Sequence, residues 1–161
     1  MRTSLKLIIL VCFCIASCKP TPSGKLPADS FYTDTGDFDM ARIPLIKPYE
    51  ATVPATGNQD WIVVSTDTSV VPLTIPGTKE VRVVKDIILV HSKNTALDYQ
   101  PIKEAWFVIL RAKRKVKGFK SHQEHLTLIK QMGLPYEPEL YRMSDVFDYF
   151  DRYGYINWKK M

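Results

Sequence analysis

The chain has 161 residues, among them 22 lysines and arginines and 17 aspartates and glutamates, which gives a formal net charge of +5. This mildly basic balance does not call for a nucleic-acid partner, and the length suffices for one domain held by its own core. The three cysteines, Cys12, Cys14 and Cys18, all precede residue 19, so the rest of the chain has no thiol for disulfides, redox chemistry or metal binding.

The first 17 residues have the features of a secretory signal peptide. Arg2 and Lys6 form a short positive head, residues 7–15 (LIILVCFCI) are an unbroken apolar run, and the small pair Ala16-Ser17 follows. The run is too short for a permanent membrane helix, which needs about 20 apolar residues. We therefore expect residues 1–17 to be removed and the remaining chain to have no membrane span.

The end of this segment, Ile15-Ala16-Ser17-Cys18, resembles the lipobox of bacterial lipoproteins. The resemblance implies that the signal is cut before Cys18, that a diacylglycerol is attached to its sulfur, and that its freed amine is acylated, for example with palmitate. Two or three acyl chains anchor a protein stably, because each buried methylene contributes about 0.8 kcal/mol. The alternative is an ordinary signal peptide that carries a cysteine by chance. We expect Cys18 to be lipidated and to hold the protein on a membrane through its acyl chains.

Two further segments are predicted after the signal peptide. Residues 18–30 are interpreted as the lipidated cysteine and a flexible tether, because three prolines, a glycine and small polar residues leave few apolar groups for a core. Residues 31–161 are expected to form a single domain. Within that domain, residues 31–57 place aromatic and aliphatic side chains between prolines, which predicts an ordered but mostly irregular arm.

Period-two patterns predict the strands of a small sheet. Residues 60–65 (DWIVVS) form one such run, and residues 81–92 (VRVVKDIILVHS) are either a hairpin turning at Lys85-Asp86 or one long bent strand, since Lys-Asp is a poor tight turn. Residues 104–119 (EAWFVILRAKRKVKGF) are predicted to form a single strand. Its buried face would hold Trp106, Val108, Leu110, Ala112 and Val116, and its wet face Phe107, Ile109, Arg111, Lys113, Lys115 and Lys117.

Beyond the last predicted strand the pattern becomes helical. Ser121 and Glu124 form a capping box for a first helix, which Gly133 ends, and a second helix runs from Ser144 as N-cap to Gly154. Strands first and helices last predict an α+β fold. We expect a small antiparallel sheet followed by two C-terminal helices packed on it.

Resemblances beyond the lipobox bear on location. The order of apolar runs, capped helix and terminal YGYINW over residues 40–158 resembles small uncharacterised lipoproteins common in gut-type Bacteroidota, which implies no activity. Lys19 stands where an aspartate, in enteric bacteria, signals retention in the inner membrane, so the resemblance favours the outer membrane. In Bacteroidota lipoproteins that are exported to the cell surface, an acidic cluster follows the lipidated cysteine. No such cluster follows Cys18. We therefore expect a bacterial cell-envelope protein that faces the periplasm.

His122 and His125 are weak candidates for a zinc site. They lie three residues apart and share a helix face, which could supply two ligands. Their spacing matches neither metalloprotease motif, and His91 is the only other histidine. We therefore favour exposed histidines at a polar helix start, and we expect neither a metal nor a cofactor.

A basic stripe is the main candidate for binding. On the predicted single strand, alternate cations stand about 6.6 Å apart and would form a linear positive ridge. The ridge could meet anionic headgroups, an anionic envelope polymer or an acidic protein, or it could be an edge strand that its lysines protect from aggregation. The candidate polyanion-binding residues are Arg111, Lys113, Arg114, Lys115, Lys117 and Lys120.

The C-terminal segment alternates acidic and aromatic residues. Phe147, Phe150 and Tyr153 are expected to face the sheet. The remaining rings, if exposed, would suit a protein or glycan contact, because aromatic side chains bury much area at low entropic cost. Nucleic acid is again a poor fit, since aromatic residues do not interleave the basic stripe as a stacking surface would require. The candidate protein-contact residues are Tyr149, Tyr155 and Trp158.

The sequence contains no Gly-x-Ser-x-Gly elbow, phosphate-binding glycine loop or dinucleotide fingerprint. The first hypothesis is therefore a lipid-anchored, non-enzymatic envelope protein that acts as a binding module. Its most concrete form is an accessory or immunity-type factor that captures a protein partner. The alternative is a structural or maintenance lipoprotein that binds anionic lipid or an envelope polymer through the basic strand.

Overall fold

The computed structural model describes residues 29–37, 39–54, 60–67, 73–134 and 138–161. The predicted signal peptide, Cys18 and nearly all of the predicted tether lie outside these residues. Within the described part of the chain, no helix is both long and apolar enough to cross a membrane.

One antiparallel sheet dominates the described residues. It has eight strands in the order β1 to β7 along the sheet, with β8 paired to β4. Two helices, α1 (His122–Gln131) and α2 (Met143–Tyr153), follow. The strands are β1 (Met40–Ile46), β2 (Tyr49–Pro54), β3 (Trp61–Ser65), β4 (Thr74–Val84), β5 (Ile87–Leu97), β6 (Gln100–Leu110), β7 (Lys115–Phe119) and β8 (Tyr141–Arg142).

The predicted α+β fold with a small sheet is wrong. Strands hold 49% of the described residues and helices 23%, so the sheet is the body of the protein and not a platform for two helices. Most of the additional sheet comes from the N-terminal segment and from the length of β4, β5 and β6, which have 11 residues each.

The segment predicted as an irregular arm forms the β1–β2 hairpin. Its prolines suggested breaks, but Pro44 lies in β1, which pairs only with β2 among the described strands, and an edge strand tolerates a missing donor. Pro48 lies in the turn, after a cis peptide bond from Lys47. Ile43 and Leu45 are buried, so the hairpin belongs to the core of the sheet.

The predicted strand segments 81–92 and 104–119 also form hairpins. Residues 81–92 turn at Lys85 and Asp86, with Val84 paired to Ile87 and a positive φ of 55° at Lys85. The prediction of one strand over residues 104–119 is wrong. Since β5 begins at Ile87, β6 has no neighbour on that side beyond Leu110, and the chain reverses through a 3₁₀ turn, Arg111–Lys113, into β7.

The sheet folds over onto a single main core. Buried side chains of β1, β2 and β3 contact those of β4, β5 and β6 in one cluster. The guanidinium Nε of Arg111, after β6, also donates to the carbonyl oxygen of Lys47, after β1, at 2.7 Å. Strands far apart in the sheet order therefore lie close in space. The main-core residues are Ile43, Leu45, Tyr49, Ala51, Val63, Ile75, Val81, Val83, Ile88, Val90, Ala105, Phe107, Ile109, Met143 and Val146.

A second, smaller core covers the outer face of β5 and β6. Leu89 and Val108 pack there against Ile129 of α1 and Leu134. Because both faces of β6 are covered, Phe107 and Ile109 are buried and do not form the predicted wet face.

The helices therefore lie on different sides, α1 on the outer face and α2 against the main core. Ser121 is the N-cap residue of α1, as predicted, but its side chain makes no capping hydrogen bond. Helix α2 is capped by Arg142 and not by Ser144, and it ends at Gly154 as predicted.

Candidate functional site

His91 lies between two carboxylates on the outer face of the sheet. Its Nδ1 is 2.8 Å from Glu80 Oε2 on β4, and its Nε2 is 2.7 Å from Glu104 Oε1 on β6. A carboxylate only accepts, so both contacts are hydrogen bonds when both ring nitrogens carry a proton. The imidazole is thereby fixed in orientation, with neither nitrogen pointing into open solvent.

A row of stacked rings extends this arrangement towards α1. The rings of His91 and Trp106 stack with centroids 5.3 Å apart, and the ring of His122 lies 5.1 Å from that of Trp106. His125 follows at 6.1 Å from His122 and packs 6.0 Å from Phe119. These rings lie on the outer surface where β5, β6 and α1 meet.

The histidines on α1 differ in exposure. His122 is exposed, as expected, but His125 is completely buried, so the expectation of two exposed histidines is wrong for His125. Among the described residues, no group of three or more histidine, cysteine, aspartate and glutamate side chains could hold a metal ion.

An open cleft of about 550 Å³ adjoins Glu80 and His91. Trp61 supplies an apolar wall, and Lys79 and Arg142 supply positive charge. Asp60 is ion-paired with Lys79, and Lys93 Nζ lies 4.0 Å from Glu104 Oε1. We call this hollow the His91 cleft; it offers both charges and an apolar surface to a ligand.

Two hydroxyl groups line the His91 cleft, and both donate hydrogen bonds to groups other than His91. Ser144 Oγ donates to Asp145 Oδ1 at 3.1 Å, and Thr78 Oγ1 donates to the carbonyl of Ile75 at 3.1 Å. Neither is paired with His91, so the described residues of the cleft do not form the nucleophile–base pair of a hydrolase.

The local sequence patterns do not reveal this cleft. Its residues come from β3, β4, β5 and the start of α2, and only the sheet register brings them together. One signal was present: Glu80, His91 and Glu104 each stand at one end of the apolar run of their strand. Without the register, nothing in the sequence showed that the three share one face.

The candidate polyanion-binding residues lie on the β6–β7 hairpin. Residues 111–117, which we call the basic tip, are all exposed, and Lys120 is exposed just after β7. Arg111 and Lys113 lie in the 3₁₀ turn, Arg114 has a positive φ of 49°, and Lys115 and Lys117 lie on β7. The predicted linear ridge is therefore wrong, because the cations surround a turn.

Of the five cations of the basic tip, two form ion pairs among the described residues and three do not. Arg111 Nη1 is 3.0 Å from Asp86 Oδ1, and Arg114 Nη2 is 3.3 Å from Asp67 Oδ2. Within the described ranges, no carboxylate forms an ion pair with Lys113, Lys115 or Lys117.

The three candidate protein-contact residues are all partly buried. Tyr149 packs against Tyr153 with centroids 4.6 Å apart, and burial raises the pKa of its phenol. Trp158 packs on the main core and donates from Nε1 to the carbonyl of Leu45 at 3.3 Å. Tyr155 is half-buried. In contrast, Tyr99 in the β5–β6 turn is 99% exposed, which its place in the sequence did not indicate.

Comparison of the chain with protein-family models, curated proteins and solved structures found no match.

Proposed function

We propose that this protein is a lipid-anchored, non-enzymatic binding module of a bacterial cell envelope, which captures a protein partner as an accessory or immunity-type factor. The lipobox-like residues 15–18 support the anchor, and Lys19 supports an outer-membrane, periplasm-facing position. The binding role is argued from the surface of the domain.

The observation that carries the binding role is the His91 cleft. Its volume of about 550 Å³ lies within the range of about 300–1,000 Å³ common for ligand sites. Lys79 and Arg142 can meet carboxylates, Glu80 can meet cations, and Trp61 can pack against an apolar side chain. A peptide segment of a protein partner, with charges of both signs, fits this chemistry better than a uniformly charged polymer does.

Binding without catalysis is supported by how the polar groups are used. Both nitrogens of His91 face carboxylate oxygens, so neither nitrogen points at a ligand in the cleft. The hydroxyls of Thr78 and Ser144 already donate to other groups. A fixed and satisfied set of polar groups suits recognition, because a rigid site loses little entropy on binding.

Site-specific photocrosslinking in the source bacterium tests the proposal. A photoreactive phenylalanine analogue in place of Lys79, in the cleft, is expected to give one discrete adduct with an envelope protein. The same replacement of Lys130, an exposed lysine on α1, removes the same charge and serves as the matched control. Arg142→Glu in the Lys79-labelled chain should abolish the adduct. Equal adducts from both positions, or none from Lys79, would contradict the proposal.

A second candidate function is favoured by the basic tip. Three exposed lysines without ion pairs among the described residues support a structural or maintenance role, in which the protein binds anionic lipid or an envelope polymer. The two candidate functions use different surfaces, so one protein can serve both.

A further inference from the structure

The described domain begins beside the basic tip. Asp29 Oδ2 lies 2.8 Å from Lys47 Nζ, and the carbonyl of Lys47 accepts from Arg111 Nε at 2.7 Å. Hydrogen bonds from Lys47 and from the backbone N–H of Phe31 hold the pKa of Asp29 below its usual value. Asp29 therefore connects, through the single residue Lys47, to the first residue of the basic tip.

Positive charge dominates this end of the molecule. Asp29, Asp67 and Asp86 are each paired with one cation, which leaves Lys113, Lys115 and Lys117 without an ion pair among the described residues. Two further lysines, Lys85 and Lys159, line a neighbouring hollow of about 390 Å³ together with Tyr32.

The tip also has an apolar component. Val116, at 37% exposure, is one of the few large apolar side chains that the described residues leave in solvent, and Ala112 is exposed beside it. Cations that surround exposed apolar groups are typical of surfaces that lie at the interface of an anionic bilayer.

Chain length fixes how far this end can be from a lipid attached at Cys18. Eleven residue steps separate Cys18 from Asp29, and a fully extended chain covers at most about 3.6 Å per residue, or about 40 Å in all. A bilayer that holds Cys18 is therefore always within reach of the tip, which raises its effective concentration there.

We propose that the basic tip is a membrane-contact surface, which binds the anionic phospholipid headgroups of the membrane that holds Cys18. This inference rests on the proposed lipid anchor and deepens the second candidate function. The tip orients the domain on the bilayer: the β4–β5 and β6–β7 turns face the lipid, and the β5–β6 turn with Tyr99 points away. The His91 cleft stays accessible, since His91 lies four residues along β5 from Ile87, about 13 Å.

Two matched fluorophores test the orientation in the full, lipidated protein. Ala112→Cys places a thiol on the tip and Ala96→Cys places one at the far end of β5; both alanines are exposed. With the protein in vesicles containing anionic phosphatidylglycerol and brominated lipid, the label at position 112 should be quenched severalfold more than the label at 96. Equal quenching at the two positions overturns the proposal.

Charge variants test the headgroup contact without the anchor. In a chain that begins at residue 18 and carries Cys18→Ser, flotation with phosphatidylglycerol vesicles should weaken about 25-fold on Lys113→Gln plus Lys115→Gln, at about fivefold per cation. Lys103→Gln plus Lys130→Gln, which removes the same charge from exposed sites elsewhere, should change binding less than threefold. Binding should also be lost at 1 M salt, where the Debye length is about 3 Å.

The outcomes separate this inference from the proposed anchor. An unmodified Cys18 with intact, tip-dependent vesicle binding contradicts the anchor and supports the contact. Lipidation without tip-dependent binding overturns the contact alone. Alternatively, the tip variant loses binding to an anionic envelope polymer while its binding to vesicles is unchanged. That result assigns the basic tip to the polymer and also overturns the proposed membrane contact.

Discussion

The side chain of Arg42 holds the N-terminal segment to the sheet through three contacts with that segment and one with β2. Its Nε is 2.6 Å from Glu50 Oε2 across the β1–β2 hairpin, and its Nη1 donates to the carbonyls of Phe31 and Asp34 at 2.9 and 2.7 Å. Its guanidinium also lies 4.6 Å from the centre of the Phe31 ring. Both charged side chains are only 11% exposed, so each depends on the other for the solvation that water would give.

Arg42→Leu is expected to lower the free energy of unfolding by about 3 kcal/mol, because it leaves the Glu50 carboxylate buried and unpaired. Lys47→Leu is the matched control: it removes a cation from the same hairpin, but its pair with Asp29 is exposed to solvent, so its loss should cost much less than the loss of the Arg42 pair. Urea unfolding of both variants measures the difference. An equal loss of unfolding free energy in the two variants would show that the Arg42–Glu50 pair stabilises the fold no more than a surface pair does.

At the scale of elements, Gly77 allows β4 to bend while it stays paired. Its φ is +69°, the register of β4 and β5 shifts between Thr78 and Glu80, and Asn94 on β5 also has a positive φ. A Cβ built on Gly77 would lie 2.0 Å from the carbonyl oxygen of Lys93. The first half of β4 pairs with β3 and the second half with β5 and β8, so this bend helps the sheet to fold over.

Gly77→Ala is therefore expected to cost about 3 kcal/mol, from the left-handed backbone and the clash with Lys93 together. Gly133→Ala is the control: its φ of +78° is similar, but nothing lies within 4 Å of the added Cβ, so it should cost about 1 kcal/mol. Thermal unfolding of the two variants gives the comparison. A similar loss for both would mean that the backbone conformation alone, and not the close approach of β5, requires a glycine at position 77.

The long strands show why periodicity predicted part of the sheet and missed its extent. β3 and the β4–β5 runs were visible as β-branched segments, and α1 was visible from its boundaries. β6 is buried on both faces, so its apolar residues run on without alternation, and the alternation predicted across residues 104–119 came from two strands and a turn. The turn itself, Arg-Ala-Lys-Arg, contains no glycine, asparagine or proline to mark it.

The prediction of an irregular arm in place of β1 and β2 was wrong for a different reason, which concerns the prolines. A proline breaks an internal strand but is compatible with an edge, and the position of a strand in the sheet order cannot be read from a local pattern. The His91 cleft was missed for the same reason, since its residues converge only through the pairing of separate strands. Local signals thus identified elements, and the long-range pairing determined both the sheet size and the site.

At the scale of the whole molecule, two candidate binding surfaces, the basic tip and the His91 cleft, lie on one folded-over sheet. The chain enters the described domain at Asp29, beside the basic tip, and the His91 cleft lies further along β4 and β5. In our proposal the tip faces the membrane and the cleft stays open to a protein partner. This arrangement depends on attachment of the chain to a membrane through Cys18.

Lipidation of Cys18 is therefore the most direct test of the account. Cells that produce the full chain are grown with labelled palmitate, and the N-terminal peptide of the membrane-bound protein is analysed by mass spectrometry, with Cys18→Ser as the control. We predict cleavage before residue 18, a diacylglycerol on the Cys18 sulfur, and loss of both cleavage and label in the control. An unmodified Cys18, or processing that globomycin does not inhibit, would contradict the anchor.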